Sequence, residues 1–116
     1  MKTFYHTTLS VNRKSIETNG LIINIGRLSS ELGETVKAVY LFNTLDALEN
    51  ALMNWLGEAY KALADEIGIN PDDLVLSTFK VDLPDDFDGL EYNEDMYESI
   101  SLKNIPPKYI SYFRED

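Results

Sequence analysis

The stretch that decides the fold is Thr3–Thr8, which reads TFYHTT, and its counterpart later in the chain is Ala38–Phe42, which reads AVYLF. Both runs are rich in β-branched and aromatic residues, the composition typical of β-strands. The first run contains His6, the only histidine of the chain, and the second contains Tyr40. We therefore predict two strands whose imidazole and phenol face each other across a cleft.

Helical signals follow both predicted strands. A short helix is predicted over 11–19, with Ser10 as its N-cap and Gly20 as its stop signal. Thr44 is predicted to cap a long helix over 45–67, because apolar residues recur there at steps of three or four. This apolar stripe consists of Leu45, Leu48, Leu52, Trp55, Ala59 and Leu63.

The second half of the chain is predicted to consist mainly of strands. They cover 74–81, a short piece within 89–92, then 96–102 and finally 109–113. Helices therefore come early and strands accumulate late, an order that favours the α+β class over a doubly wound parallel sheet.

Length and composition restrict the function further. A chain of 116 residues with 44% hydrophobic content predicts one domain, spanning 1–116, with a real core. It contains no apolar run of about 18 residues and no apolar signal core, so we expect no membrane span and no export. Cysteine is absent, which favours a cytoplasmic location and excludes zinc held by thiolates.

The formal charge is −10, from 20 acidic and 10 basic residues. Such a surface repels phosphate backbones, so general binding to DNA or RNA is disfavoured. Acidic residues crowd into Asp82–Asp88 and Glu91–Glu98. Three interpretations remain open for these runs: solubility, docking to a basic protein, and mimicry of nucleic acid.

His6, Tyr40 and Glu98 lie on three different predicted strands, and with this element order they resemble the His-Tyr-Glu set of the ADP-ribosyltransferase superfamily. The flanking motifs that carry the resemblance are His6-Thr7-Thr8, Val39-Tyr40-Leu41-Phe42 and the Ile105–Ile110 ending, IPPKYI. The likeness spans nearly the whole chain, and the pattern also looks like small phage and bacterial members of the superfamily. It implies a compact α+β domain with two small sheets around a cleft, one long helix and one short helix.

The resemblance implies NAD as the cofactor and gives each residue a role. Glu98 would stabilise the cationic ribose that forms when nicotinamide leaves, as a carboxylate does in glycoside hydrolysis. Tyr40 would stack on the nicotinamide ring. His6 would donate a hydrogen bond to a ribose hydroxyl, and the backbone of Thr7 would bond the nicotinamide amide.

Two further cofactor-binding residues follow from the same resemblance. Thr8 would hold the turn after the first strand, and Arg27, in a polar loop over 26–34, would pair with the pyrophosphate. The identity of the carboxylate stays open, because other acidic residues lie close to Glu98 in sequence. These alternatives are Glu91, Glu94 and Asp95.

Each of these residues also has an ordinary interpretation: His6 as a hydrogen-bonded structural residue, Tyr40 as core, and Glu98 and Arg27 as solvated charges. The chain also departs from the family pattern. Thr7 stands where a glycine is usual, and Met96 lies two residues before Glu98 where arginine-directed and asparagine-directed relatives carry Glu or Gln. Transfer to arginine or asparagine is therefore not expected. RNA 2′-phosphotransfer is not expected either, since the only arginines are Arg13, Arg27 and Arg114.

The leading hypothesis is an NAD-dependent ADP-ribosyltransferase that modifies a protein or a small molecule, as a phage or mobile-element effector. The alternative is an inactive member of the fold that acts as an acidic protein-interaction or inhibitor module, through residues such as Asp85, Asp86 and Asp88. A third hypothesis is a module that binds NAD or ADP-ribose without turnover.

Overall fold

The computed structural model describes residues 1–23, 38–93 and 97–115. It is an α+β fold built on one antiparallel sheet, as the element order predicts. The strands are β1 (Lys2–Leu9), β2 (Val39–Phe42), β3 (Leu76–Leu83), β4 (Leu90–Glu91), β5 (Glu98–Ser101) and β6 (Ile110–Glu115). The helices are α1 (Arg13–Asn19), α2 (Leu45–Met53) and α3 (Trp55–Ile67), with short 3₁₀ turns at Ser10–Asn12, Pro71–Asp73 and Pro107–Tyr109.

The six strands form a single sheet in the order β4-β5-β2-β1-β3-β6. Two small sheets were expected, and the described residues show one. The pairing is nevertheless uneven. β1 pairs with β3 along its whole length, from Lys2 opposite Leu83 to Leu9 opposite Leu76. Between β1 and β2, both fully described, the only register pair is Tyr5 with Phe42. A narrow seam therefore joins two three-stranded halves.

Because side chains alternate along a strand, the sheet has two faces, each with its own core. The Phe4 face is covered by α1 and by the segment around Ile105. Its buried residues are Phe4, Ile16, Leu21, Val39, Leu41, Phe79, Val81, Leu83 and Ile105. The Tyr5 face is covered by α2 and α3. Its buried residues are Phe42, Leu48, Ala51, Leu56, Tyr60, Leu63 and Leu76, with Tyr5 packed against them.

Several local signals behave as predicted. The Thr44 hydroxyl accepts a hydrogen bond from the amide of Ala47 at 3.0 Å, which caps α2. Gly20 and Gly68 end α1 and α3, both with φ of +80°, a conformation that glycine adopts without strain. The prediction that Ser10 caps the first helix is wrong, because its hydroxyl instead bonds the hydroxyl of Ser77 at 2.8 Å.

The predicted single helix over 45–67 is also wrong, because Asn54 divides it. Asn54 leaves helical dihedral angles, with φ −126° and ψ −116°. Its side-chain nitrogen donates to the carbonyl of Asn50 at 2.7 Å, while its backbone amide bonds Ala51 instead. The Asn50 carbonyl thus accepts a hydrogen bond from the side chain of Asn54 and not from the backbone amide that would continue the helix. Such competition with the backbone is typical of asparagine.

The break shifts the apolar stripe by one residue. Leu56 and Tyr60 are buried in place of the predicted Trp55 and Ala59, and Trp55 keeps 36% of its surface exposed. Gly57 lies just after the break, where a Cβ would stand 2.0 Å from the carbonyl oxygen of Leu52. Only a residue without Cβ fits there, so Gly57 permits the two helices to approach.

We expect Gly57→Ala to destabilise the fold by about 1–3 kcal/mol, because the added Cβ collides with a backbone oxygen. Helix propensity alone predicts the opposite sign, a gain of about 1 kcal/mol. Urea denaturation measures the difference. Ala62→Gly, at an exposed position of α3, is the control and should show the ordinary propensity cost. A stabilised Gly57→Ala variant would contradict the close approach.

Candidate functional site

The three strands that carry the predicted triad are neighbours in the sheet, in the order β5-β2-β1. Glu98 lies opposite Phe42, and Tyr40 lies opposite Ile100. Tyr40 and Glu98 are therefore diagonal neighbours on one face of adjacent strands, a relation that places Cβ atoms about 7–8 Å apart or less. Both residues are half-buried. The fold thus brings a phenol and a carboxylate together from positions far apart in sequence.

His6 lies on the other face of the sheet. Its register partner on β3 is Phe79, which places it on the Phe4 face. Tyr5 pairs with Phe42, which places Phe42, and with it Tyr40, on the Tyr5 face. The imidazole and the phenol therefore lie on opposite faces of the sheet and do not face each other across a cleft. A single step along a strand reverses the direction of the side chain.

The imidazole of His6 is instead bonded to the backbone of Tyr40. Nδ1 lies 2.9 Å from the Tyr40 carbonyl oxygen, one residue beyond the Tyr5–Phe42 pair that forms the seam. Because a carbonyl can only accept, Nδ1 carries the hydrogen and donates. In a neutral ring Nε2 is then an acceptor.

The protonation state of His6 agrees with this tautomer. Burial lowers the pKa of the imidazole below 6.5, and the hydrogen bond to Tyr40 opposes that shift in part. The ring is therefore neutral at pH 7. In this form the proton on Nδ1 is engaged by the Tyr40 carbonyl, and Nε2 carries a lone pair.

Thr7 belongs to the core of the Tyr5 face. Its hydroxyl bonds the Thr78 hydroxyl at 3.0 Å and the Ser77 carbonyl at 3.3 Å. Its own carbonyl accepts a hydrogen bond from the Tyr60 hydroxyl at 3.1 Å. The Thr7 carbonyl, one of the two backbone groups that could bond a nicotinamide amide, thus already accepts one hydrogen bond.

Thr8 lies where β1 leads into α1, and its hydroxyl accepts a hydrogen bond from the Asn12 side chain at 3.1 Å. Arg27 lies outside the described residues, as do Glu94, Asp95 and Met96. Glu91, the remaining alternative carboxylate, lies on the edge strand β4 opposite Ile100. It is therefore one strand further from Tyr40 than Glu98 is.

Tyr60 was not predicted as an interior anchor. It lies in α3 below β1, and burial raises the pKa of its hydroxyl far above the usual value. The sequence pattern assumed one unbroken helix and therefore assigned the buried position to Ala59. The break at Asn54 shifts that position to Tyr60. A buried tyrosine needs a partner for its hydroxyl, and here that partner is the Thr7 carbonyl.

A polar cluster fixes the backbone on both sides of Glu98. Ser99, which is fully buried, donates to the side-chain oxygen of Asn43 at 2.6 Å and accepts from the Asn93 amide at 3.1 Å. The side-chain nitrogen of Asn43 donates to the Asn93 carbonyl at 2.9 Å. The backbone amide of Asn43 bonds the Tyr97 carbonyl at 2.9 Å. We call Asn43, Asn93 and Ser99 the asparagine clamp.

The acidic residues named for protein docking are partly engaged within the chain. Asp85 bonds the amino group of Met1 at 2.5 Å, and that bond lowers the pKa of its carboxyl. Asp88 pairs with Lys103, which lowers the pKa of Asp88. Both partners of each pair are exposed to solvent, so the pairs hold the turn after β3 only weakly.

Within residues 1–23, 38–93 and 97–115, no group of three or more histidines and acids could hold a metal ion. In the same ranges no helix is long and apolar enough to cross a membrane. No protein-family model, curated protein or solved structure matches this chain. The geometry of the described residues is therefore what supports a function.

We expect the stability of the protein to fall as pH is lowered through about 6.5, the value for an unfolded histidine. Since folding lowers the pKa of His6, the unfolded chain binds more protons below that pH. His6→Asn keeps a donor at the position of Nδ1 and cannot titrate. Urea denaturation from about pH 7.5 to about pH 5.5 should show a decline for wild type that this variant lacks.

The free energy of unfolding cannot change by more than about 1.4 kcal/mol per pH unit through the titration of one group. Since His6 is the only histidine, the difference between the two proteins isolates it. Parallel curves for wild type and His6→Asn would contradict a neutral, buried imidazole.

We expect Asn43→Ala to cost about 1–3 kcal/mol, because it leaves the buried Ser99 hydroxyl without its acceptor. Hydrogen exchange should accelerate at the amides of β5, while β3 stays protected. Asn12→Ala is the matched control, since it removes an exposed side-chain hydrogen bond to Thr8. Equal effects of the two variants, or uniform loss of protection, would contradict a local clamp.

Proposed function

We propose that this protein is an NAD-dependent ADP-ribosyltransferase-like protein that acts in the cytoplasm on a protein or a small molecule. The observation that supports the proposal is the placement of Tyr40 and Glu98 as diagonal neighbours on one face, with His6 bonded to the Tyr40 backbone. Tyr40 and Glu98 thereby share one face of the β2–β5 pair, and His6 lies on the opposite face. The family resemblance of their motifs supplies the chemistry.

NAD supplies a ribose that becomes cationic as nicotinamide departs. The Glu98 carboxylate would face that charge and stabilise it, and it would hold a ribose hydroxyl by accepting its hydrogen. The Tyr40 ring would lie against the positively charged nicotinamide, a contact with a cation–π gain of about 0.5–2 kcal/mol. The diagonal spacing of Tyr40 and Glu98 suits two adjoining groups of one ligand.

His6 lies on the other face of the sheet and would act through the backbone of Tyr40. The hydrogen bond from its Nδ1 to the Tyr40 carbonyl would hold β2 against β1 and so position Tyr40. The asparagine clamp would hold Glu98 in position.

Isothermal titration with NAD tests binding, and mass spectrometry of incubated protein mixtures, with nicotinamide assayed in parallel, tests transfer. We expect wild type to bind NAD and release nicotinamide. Glu98→Gln should retain binding and lose release by at least ten-fold, since it removes the negative charge and keeps the shape. Glu91→Gln is the matched control and should leave both unchanged.

Absence of NAD binding at millimolar concentration would reject the proposal. Binding without nicotinamide release would contradict transfer and indicate a sensor or an inactive member of the fold. A larger loss of nicotinamide release in Glu91→Gln than in Glu98→Gln would indicate that the functional carboxylate is Glu91, on the edge strand β4.

A further inference from the structure

A surface groove opens at the break between α2 and α3. Its volume is about 380 Å³, and it is lined by Ala47, Asn50, Ala51, Asn54, Trp55 and Tyr97. It lies on the Tyr5 side of the sheet, because α2 packs there and the ring of Trp55 lies 6.2 Å from that of Phe42. Its volume falls in the range of small-ligand sites.

Two exposed aromatic rings form the apolar walls of this groove. Trp55 is 36% exposed and Tyr97 is 52% exposed. The rings come from distant segments, and the helix break turns Trp55 outward while Phe42 supports it from below. Aromatic faces carry negative potential, so they attract cations placed over them.

The polar walls of the groove favour a donor as the ligand. The side-chain nitrogen of Asn54 donates to the Asn50 carbonyl, so the side-chain oxygen of Asn54 is the atom that it offers to a ligand, as an acceptor. None of the six described lining residues is charged, so no lysine or arginine of the lining repels a cation. The groove thus offers π faces and amide oxygens and is without a positive charge.

The surroundings of the groove are acidic. Asp46 is exposed and lies one helical turn before Asn50, and Glu58 is exposed and lies three residues after Trp55. Glu98 follows Tyr97 directly in sequence. The whole chain carries a formal charge of −10. Charge complementarity therefore points to a positively charged occupant.

We propose that this groove binds an arginine or lysine side chain presented by a basic segment of a partner protein. The cation would lie between the rings of Trp55 and Tyr97, with the asparagine oxygens accepting its hydrogens and Asp46 and Glu58 attracting it from both ends. The proposal does not depend on NAD binding. A partner held there would lie beside Glu98.

Fluorescence tests the proposal directly, because Trp55 is the only tryptophan of the chain. The probe is the peptide acetyl-Gly-Arg-Gly-Arg-Gly-amide, and its counterpart with citrulline in place of arginine keeps the shape and lacks the charge. We expect the arginine peptide to change Trp55 emission in a saturable manner that weakens with added salt. The citrulline peptide should give no saturable change.

Variants locate the binding site. Tyr97→Ser should weaken binding of the arginine peptide about two- to five-fold, the range for one exposed cation–π contact. Tyr92→Ser removes another exposed aromatic ring, 43% exposed, and should leave binding unchanged. The double variant Asp46→Asn with Glu58→Gln should weaken binding and flatten the salt dependence, while circular dichroism confirms that each variant is folded.

Three outcomes would overturn the proposal. The first is no saturable change in Trp55 emission at millimolar arginine peptide. The second is equal binding of the citrulline peptide. The third is equal affinity of folded Tyr97→Ser and Tyr92→Ser, which would place the peptide elsewhere on the acidic surface.

Discussion

The two halves of the sheet meet at a narrow seam, and the hydrogen bond from His6 Nδ1 to the Tyr40 carbonyl crosses it. It lies next to the pair of Tyr5 and Phe42, where β1 and β2 are in register. This bond gives the imidazole a structural role and fixes its tautomer, with the hydrogen on Nδ1. The ordinary interpretation of His6 as a hydrogen-bonded structural residue and the functional one are therefore compatible.

The register at the seam also decides which side chains can act together. With Tyr5 opposite Phe42, Tyr40 and Glu98 share a face with α2 and α3, and His6 shares the other with Phe4 and Phe79. A shift of one residue would have placed all three on one side. Tyr40 and Glu98 thus share one surface, with the asparagine clamp on both sides of Glu98 and Tyr97 of the groove directly before it in sequence.

Local chemistry could be predicted from the sequence where one residue determines the outcome. The cap at Thr44 and the glycine stops at residues 20 and 68 follow from a side chain or a positive φ. The helix break could not be predicted, because asparagine also occurs inside helices. Its presence at residue 54 does not show whether its side chain or its backbone will bond the Asn50 carbonyl. The sheet order and the face of His6 could not either, since both depend on strand pairings between segments far apart in the chain.

The long pairing of β1 with β3 has a consequence for the way this chain folds. The hydrogen bond between Thr7 and Thr78 links residues separated by 71 positions, and neighbouring bonds span similar distances. Such a high contact order predicts slow folding, because the chain between β1 and β3 must lose the entropy of loop closure before contacts between the two strands can form. During synthesis β1 leaves the ribosome well before its main partner strand exists. Its aromatic and β-branched side chains stay exposed until then, which makes this segment a candidate client for chaperones.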